Sequence, residues 1–512
     1  MKTNLFTALL VASIFIFISL WLVNYHEIYH DEAQTWLLSR DSSSISELLW
    51  NLKYEGTTGL WHLILYPLTR FFETPEVMQN LHVIIAGVSI FVMFKWSPFS
   101  IAQKILLSFS YLLFYEYSII ARSYAVSVLL IFIVCSLFPN RRRYPIITAI
   151  SLFLLSYTNI FGLIFSISLF FTIIFEELCL KVRNNYFQNL SFKQITSIIL
   201  ILIGLVISIL TINPTNDSSF GITWHTYLDI DRLKYISQSL PSSYFPIPII
   251  KISFWNTVGI FYNSITKIVF ILITIIFICS VSIFLIKRPS SFFIYALTTL
   301  GLISFFYIKY WSDDIRHSGF LFISLITSLW IYKDCINLNF FKLPRAVENF
   351  NKNLINKFFT LILFIHFLTG IFANYIDYKY NFISVPEVVQ FIKKNKLLNH
   401  EIIVHHYKNT STLAALIPGK NFYNPAMKNY GTFIKWDWNR FEEVEYKQLI
   451  YASNKLSSKG DGVILVLSKK IENFKNIGNH NEIQDNFKKI FETSLPNIID
   501  NKILIYKFLV KN

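Results

Sequence analysis

The sequence predicts an all-α polytopic membrane protein with a small α/β domain at its C-terminal end. Three observations carry this. The chain is 54% hydrophobic and only 15% charged, where a soluble domain holds about 25% charged residues. Its apolar residues gather into runs of the length that spans a bilayer, about 20 residues each. Beyond residue 380 the composition turns polar and rich in Lys and Asn, and strand-like and helix-like segments alternate.

Candidate spans are 5–23, 78–95, 101–116, 118–138, 145–159, 160–178, 196–213, 266–286, 291–309, 318–333 and 357–376. That gives about eleven, or twelve if 58–72 also crosses. The 58–72 stretch is short and interrupted by Pro67, so it reads as an interfacial or re-entrant helix. The first run has Lys2 ahead of it and no small-residue cleavage site, so it is expected to be retained as a span. Fifty Phe, 28 Tyr and 11 Trp suit an apolar body with aromatic interface belts.

The net charge of +15 is spread over short connections: Lys95 with Lys104, Arg141-Arg142-Arg143, Lys181 with Arg183, Lys287-Arg288, and Lys342 with Arg345. This is a positive-inside pattern. A nucleic-acid surface would need one concentrated patch, and no such patch is present. With Arg141–Arg143 inside, all the other clusters fall inside as well. Residues 24–77, 214–265 and everything after 376 are then outside. Multi-pass insertion in a bacterial inner (plasma) membrane follows. Cys135, Cys179, Cys279 and Cys335 lie in or beside apolar runs and suggest neither a disulfide framework nor a zinc site.

The tail, 380–512, is expected to form an extracytoplasmic α/β domain. Glu401–Tyr407, Gly462–Ser468 and Ile503–Leu509 read as strands, and Pro386–Asn395 and Glu442–Leu456 as helices. No internal repeat and no Gly-rich phosphate loop is evident.

Charged residues that interrupt apolar sequence are the candidates for chemistry, because each is expensive near lipid unless it has a task or a partner. The first run stops at Asn24-Tyr25-His26-Glu27-Ile28-Tyr29-His30-Asp31-Glu32. Anchors end more often in Trp, Tyr, Lys or Arg, so the junction reads as a functional site, the alternative being a merely solvated loop start, and Asp31 and Glu32, with His30 beside them, are its candidates for catalysis. Tyr54-Glu55-Gly56 and His62 share that loop. Glu55, His30 and His62 are acceptor or metal candidates, since paired carboxylates suit base catalysis or a divalent cation.

Glu116 and Arg122-Ser123-Tyr124 interrupt a long apolar stretch. Arg122 either pairs with Glu116 to hold the turn or meets a phosphate with its planar fork. Lys309-Tyr310-Trp311-Ser312-Asp313-Asp314-Ile315-Arg316-His317 is either an ordinary polar hairpin or a second source of phosphate ligands. Trp224-His225 reads as part of an aromatic belt. A carboxylate site with cations on later outer turns implies a substrate with a phosphate and a polar reacting head, and the many-span body suggests that the phosphate is attached to a lipid.

These segments resemble the GT-C membrane glycosyltransferases, in the group of protein O-mannosyltransferases and aminoarabinose transferases. The first span followed by Asp31-Glu32 carries the likeness. Glu55-Gly56 into Leu60-Trp61-His62-Leu63, Tyr115-Glu116-Tyr117 through Ala121-Arg122-Ser123-Tyr124, and Arg316-His317-Ser318-Gly319 extend it. Thr57-Thr58-Gly59 stands where relatives often show a His-Pro-Pro-type stretch. The resemblance covers roughly residues 1–376.

It implies a polyprenyl-phosphate-linked sugar as donor and a lipid, glycan or protein hydroxyl as acceptor, usually with inversion. Asp31 would be the general base. Arg122, Tyr124, Lys309, Arg316 and His317 would bind the donor phosphate. Some members need a divalent cation and others do not. A polysaccharide polymerase or ligase, and a lipid-linked glycan transporter or flippase, are the competing classes. The transporter lacks an inverted repeat and a mid-membrane acid in this sequence.

Overall fold

The computed structural model describes residues 4–184, 191–219, 224–309, 314–335, 345–437, 444–459, 461–475, 483, 485–499 and 502–509. Among these, eight helices are long and apolar enough to cross a membrane: Leu5–Val23, Glu76–Trp96, Ile160–Leu180, Phe192–Ile212, Ser264–Leu285, Pro289–Ile308, Ile315–Asp334 and Lys352–Lys379. The chain is thus a multi-pass membrane protein, but three of the eleven expected spans depart from that form.

The 101–116 run breaks into a helix Ile101–Ser108 and a wide π-turn Tyr111–Glu116. Ser110 is the reason: its hydroxyl caps the second piece by accepting from the Leu113 amide, 3.4 Å away. The 118–138 run becomes helical only at Tyr124, because the carbonyls of Ser118 and Arg122 both turn onto the buried His82 ring, at 2.9 Å each. The 145–159 run stops at Ser156. Eight residues of helix rise only about 12 Å, so an apolar run of span length need not be one continuous helix. Leu60–Leu68 is likewise too short to cross.

The helices alternate between two ends. At one end lie Val23, the 118–123 turn, Asp217, Ile308 and Asp377, linked by Tyr54–Asp217, His225–Ile308 and His26–Asp377 hydrogen bonds. At the other end Arg141 pairs with buried Glu176, Arg142 lies 2.7 Å from Glu177, and Arg288 donates to the Cys335 carbonyl. Lys342 lies outside the described residues.

The C-terminal part packs on the first end. Its six strands are β1 (Glu401–Val404), β2 (Phe422–Asn424), β3 (Asn429–Gly431), β4 (Val463–Leu467), β5 (Phe487–Glu492) and β6 (Leu504–Phe508), in the order β3-β2-β1-β4-β6-β5. β1 is parallel to both β2 and β4, and the other pairs are antiparallel. Helices Val385–Lys394, Tyr407–Leu416 and Tyr446–Leu456 flank the sheet. Successive strand residues point to opposite faces. Ile402, Val404, Ile464 and Val466 accordingly join the core of the membrane body, while Ile403, Leu465 and Leu467 join a second core with Tyr446 and Leu449.

Candidate active site

The junction after the first span folds as a short connection into the helix His30–Asp41. Its acids occupy the first turn, where the helix dipole favours negative charge. Being adjacent on a helix, Asp31 and Glu32 point in different directions and have different fates.

Glu32 has no exposed surface. Its oxygens accept from the amides of Tyr29 at 2.8 Å and Ala121 at 2.6 Å, and one lies 3.1 Å from His26 Nε2. The opposite nitrogen of His26 lies 2.8 Å from Asp377 of the last long helix. Burial opposes charge on that ring, but the flanking Asp377 and Glu32 outweigh it and hold the imidazole well above its ordinary range. Glu32 therefore bolts the helix start to the 118–123 turn and to the last helix. It positions the site and has no oxygen open to a substrate, in contrast to the catalytic role expected for it.

Asp31 faces the other way, with a side chain 22% exposed. His30 Nε2 lies 3.0 Å from one oxygen. Arg316 Nη1 lies 3.0 Å and Arg122 Nη1 3.9 Å from the other, and Arg122 also donates to the Asp31 carbonyl at 2.7 Å. Burial would raise the Asp31 carboxyl, but His30, Arg122 and Arg316 together hold it well below the usual carboxylate range. Burial depresses the His30 ring.

Arg316 is shared. Its Nε and Nη2 reach Asp314 at 3.2 and 3.0 Å, and its guanidinium lies over the Trp255 ring, 5.4 Å from the centroid. Tyr117 donates to its carbonyl at 2.7 Å. His317 Nε2 and Tyr124 Oη are 2.9 Å apart. Asp31, Arg122, Tyr124, Asp314, Arg316 and His317, drawn from three separate stretches of sequence, thus form one cluster in which two carboxylates and two guanidiniums balance.

Other expected members stand apart. Glu116 pairs not with Arg122 but with Tyr111 and Trp255, whose Nε1 donates to it at 3.0 Å. The turn-stabilising ion pair is therefore replaced by Arg122–Asp31. Glu55 accepts from Gln34 at 2.7 Å. His62 is buried, and burial and Arg122 push its ring down to about 3. Lys309 lies over Trp224, at 6.0 Å, outside the Asp31 cluster, and Tyr310 to Asp313 fall outside the described residues. Among the described residues no three His, Cys, Asp or Glu side chains gather into a set that could hold a metal ion, and Asp31, Glu32 and Glu55 do not converge on one point.

Sequence reasoning missed Trp255, which sits in an apolar, aromatic stretch like any belt residue. It also missed the buried His26–Asp377 link, whose members are 351 residues apart. Asp314 was visible as one of two acids in its hairpin, but nothing local marked it as the one that shares Arg316.

No protein-family model matches the chain, and no curated protein matches it at a significant level.

Proposed function

We propose that the protein is a membrane glycosyltransferase of the GT-C kind, moving a sugar from a polyprenyl-phosphate donor to an acceptor hydroxyl at the outer membrane face. One observation carries this reading: a partly open carboxylate at the end of the first span, with Arg122 and Arg316 on the same oxygen.

In the resting protein Arg316 is spent on Asp31 and Asp314. A donor phosphate competes for the same fork, since guanidinium matches phosphate at least as well as carboxylate. As Arg316 and Arg122 turn to the phosphate, Asp31 loses the charges that depress it and becomes a stronger base. It then takes the proton of the acceptor hydroxyl. The acceptor oxygen bonds to the anomeric carbon through an oxocarbenium-like state, the bond from that carbon to the phosphate oxygen breaks, and polyprenyl phosphate departs with both electrons. Its growing charge falls where the guanidiniums already lie, which is where such stabilisation acts most strongly.

The test is release of labelled sugar from a short-chain polyprenyl-phosphate sugar, wild type against Asp31→Asn. The expected result is transfer by the wild type that falls about 10²–10⁴-fold in the variant, with donor binding retained. Wild-type protein that releases sugar from no such donor sinks the reading in favour of a diphosphate-using polymerase. Lipid-linked glycan flux that persists in the variant would favour a transporter.

A further inference from the structure

We infer that the C-terminal domain forms the outer wall of the Asp31 site, where Lys408, with His406 beside it, holds an acidic group carried by the acceptor. This rests on the transferase reading and adds the acceptor's chemical class.

Helix Tyr407–Leu416 packs against helix His30–Asp41. Arg40 donates to the Ala414 carbonyl at 3.3 Å near the far ends. At the near ends the Lys408 charge acts on the His30 ring, and Lys408 and His30 both act on His406. The helices therefore run in the same direction, and the start of the second lies near His30, the residue before Asp31. Two further ties fix this docking: Gln34 exchanges a pair of 2.7 Å hydrogen bonds with the Ile434 backbone, and Thr432 donates to Asp41 at 2.5 Å.

Within the domain this is the carboxyl end of β1. The chain leaves β1 for β2 on one side and later returns to β4 on the other, so the ends of β1 and β4 flank a topological switch point, where open α/β sheets take ligands. His405 donates its amide to Val466 at 2.9 Å, and Asn409 donates to Ser468 Oγ at 3.0 Å, tying the two strand ends together.

The site attracts negative charge. The charges of Arg122 and Arg316 are already matched by Asp31 and Asp314, whereas Lys408 is exposed and forms no ion pair among the described residues. Burial first, then Lys408 and His30, push His406 down to about 4, so its ring is neutral at pH 7 and serves as a hydrogen-bonding group. The start of helix Tyr407–Leu416 carries no side-chain cap. Its first turns also hold Thr410, 5% exposed, whose hydroxyl is buried with no hydrogen-bond partner among the described residues. His406 has a φ of +83°, a conformation that costs a non-glycine residue energy and collects at binding sites.

The experiment is calorimetric binding to the full-length protein, without donor, of three probes: octyl glucoside 6-phosphate, octyl glucuronide and octyl glucoside. They share the ring hydroxyls and differ only at the sixth carbon, which carries a phosphate, a carboxylate or a neutral hydroxyl. The wild type is expected to bind at least one charged probe tenfold or more tighter than octyl glucoside, and the better of the two identifies phosphate or carboxylate. Lys408→Glu removes the preference and Lys408→Arg keeps it. Equal binding of all three probes by the wild type, or an undiminished preference in Lys408→Glu, overturns the inference. Sugar release from the polyprenyl-phosphate donor is read separately, so its absence would count against the transferase reading alone.

Discussion

The two ends of the membrane body each hold an arginine–carboxylate pair, and they differ in openness. Glu176 is fully buried and Arg141 almost so, and Arg141 also donates to the Phe138 carbonyl. Asp31 keeps 22% and Arg122 26% of their side chains exposed, and the carboxylate is divided among an imidazole and two guanidiniums. A closed pair holds helices together. An open, shared carboxylate keeps an exchangeable partner. Charge in an apolar body therefore does not mark function by itself; the access left to it does.

The largest effect that would break this contrast is at Arg316. Arg316→Ala should lower sugar transfer about 10²–10³-fold, as loss of a charge-stabilising donor does. Arg316→Lys should recover little, because a point charge cannot serve Asp31 and Asp314 together. Single-turnover transfer rates measure both. Equal rates for the wild type and Arg316→Ala would place the open cluster with the structural pair.

Arg141→Ala should act on stability instead. It removes the arginine partner of buried Glu176, at a cost of about 3 kcal/mol, seen as a lower unfolding midpoint in detergent with unchanged transfer per folded molecule. Glu32→Gln tests the neighbour that resembles Asp31 in sequence and Glu176 in burial. It should destabilise by about 1–3 kcal/mol and leave the chemical step nearly intact.

The smallest effect is in pH. Burial pushes Glu27 up to about 7, and His26 is held well above the imidazole range. Both bind a proton more tightly folded than unfolded. Their stabilisation is complete below the unfolded values, about 4.5 for Glu27 and 6.5 for His26, and is lost as pH rises through the folded ones. Amide exchange at residues 26–33, corrected for its intrinsic rate, should be faster at pH 8.5 than at pH 6. No change would show that the buried junction does not carry these protons.

The apolar runs and the costly charges were legible in the sequence, because lipid penalises each residue on its own terms. That logic found Asp31, Arg122 and Arg316 without knowing that they touch. It could not separate Asp31 from Glu32, since about 100° of helix rotation leaves one partly exposed and sends the other into the core. Nor could it see the break at Ser110, which hydropathy scores as a small dip. The tail's strands were readable by pattern, but their docking on helix His30–Asp41 depends on contacts between residues some 400 positions apart, such as Gln34 and Ile434.

The way β1 and β4 divide their side chains between two cores has a mechanical consequence. Ile402, Val404, Ile464 and Val466 belong to the same continuous packing as Trp36 and Leu37 of the Asp31 helix. Lifting the domain would strip one face of its own sheet bare. Tension applied at the C-terminal end would thus reach the first-span junction directly, with no slack linker to absorb it, and the domain is a keystone of the body instead of a hinged cover.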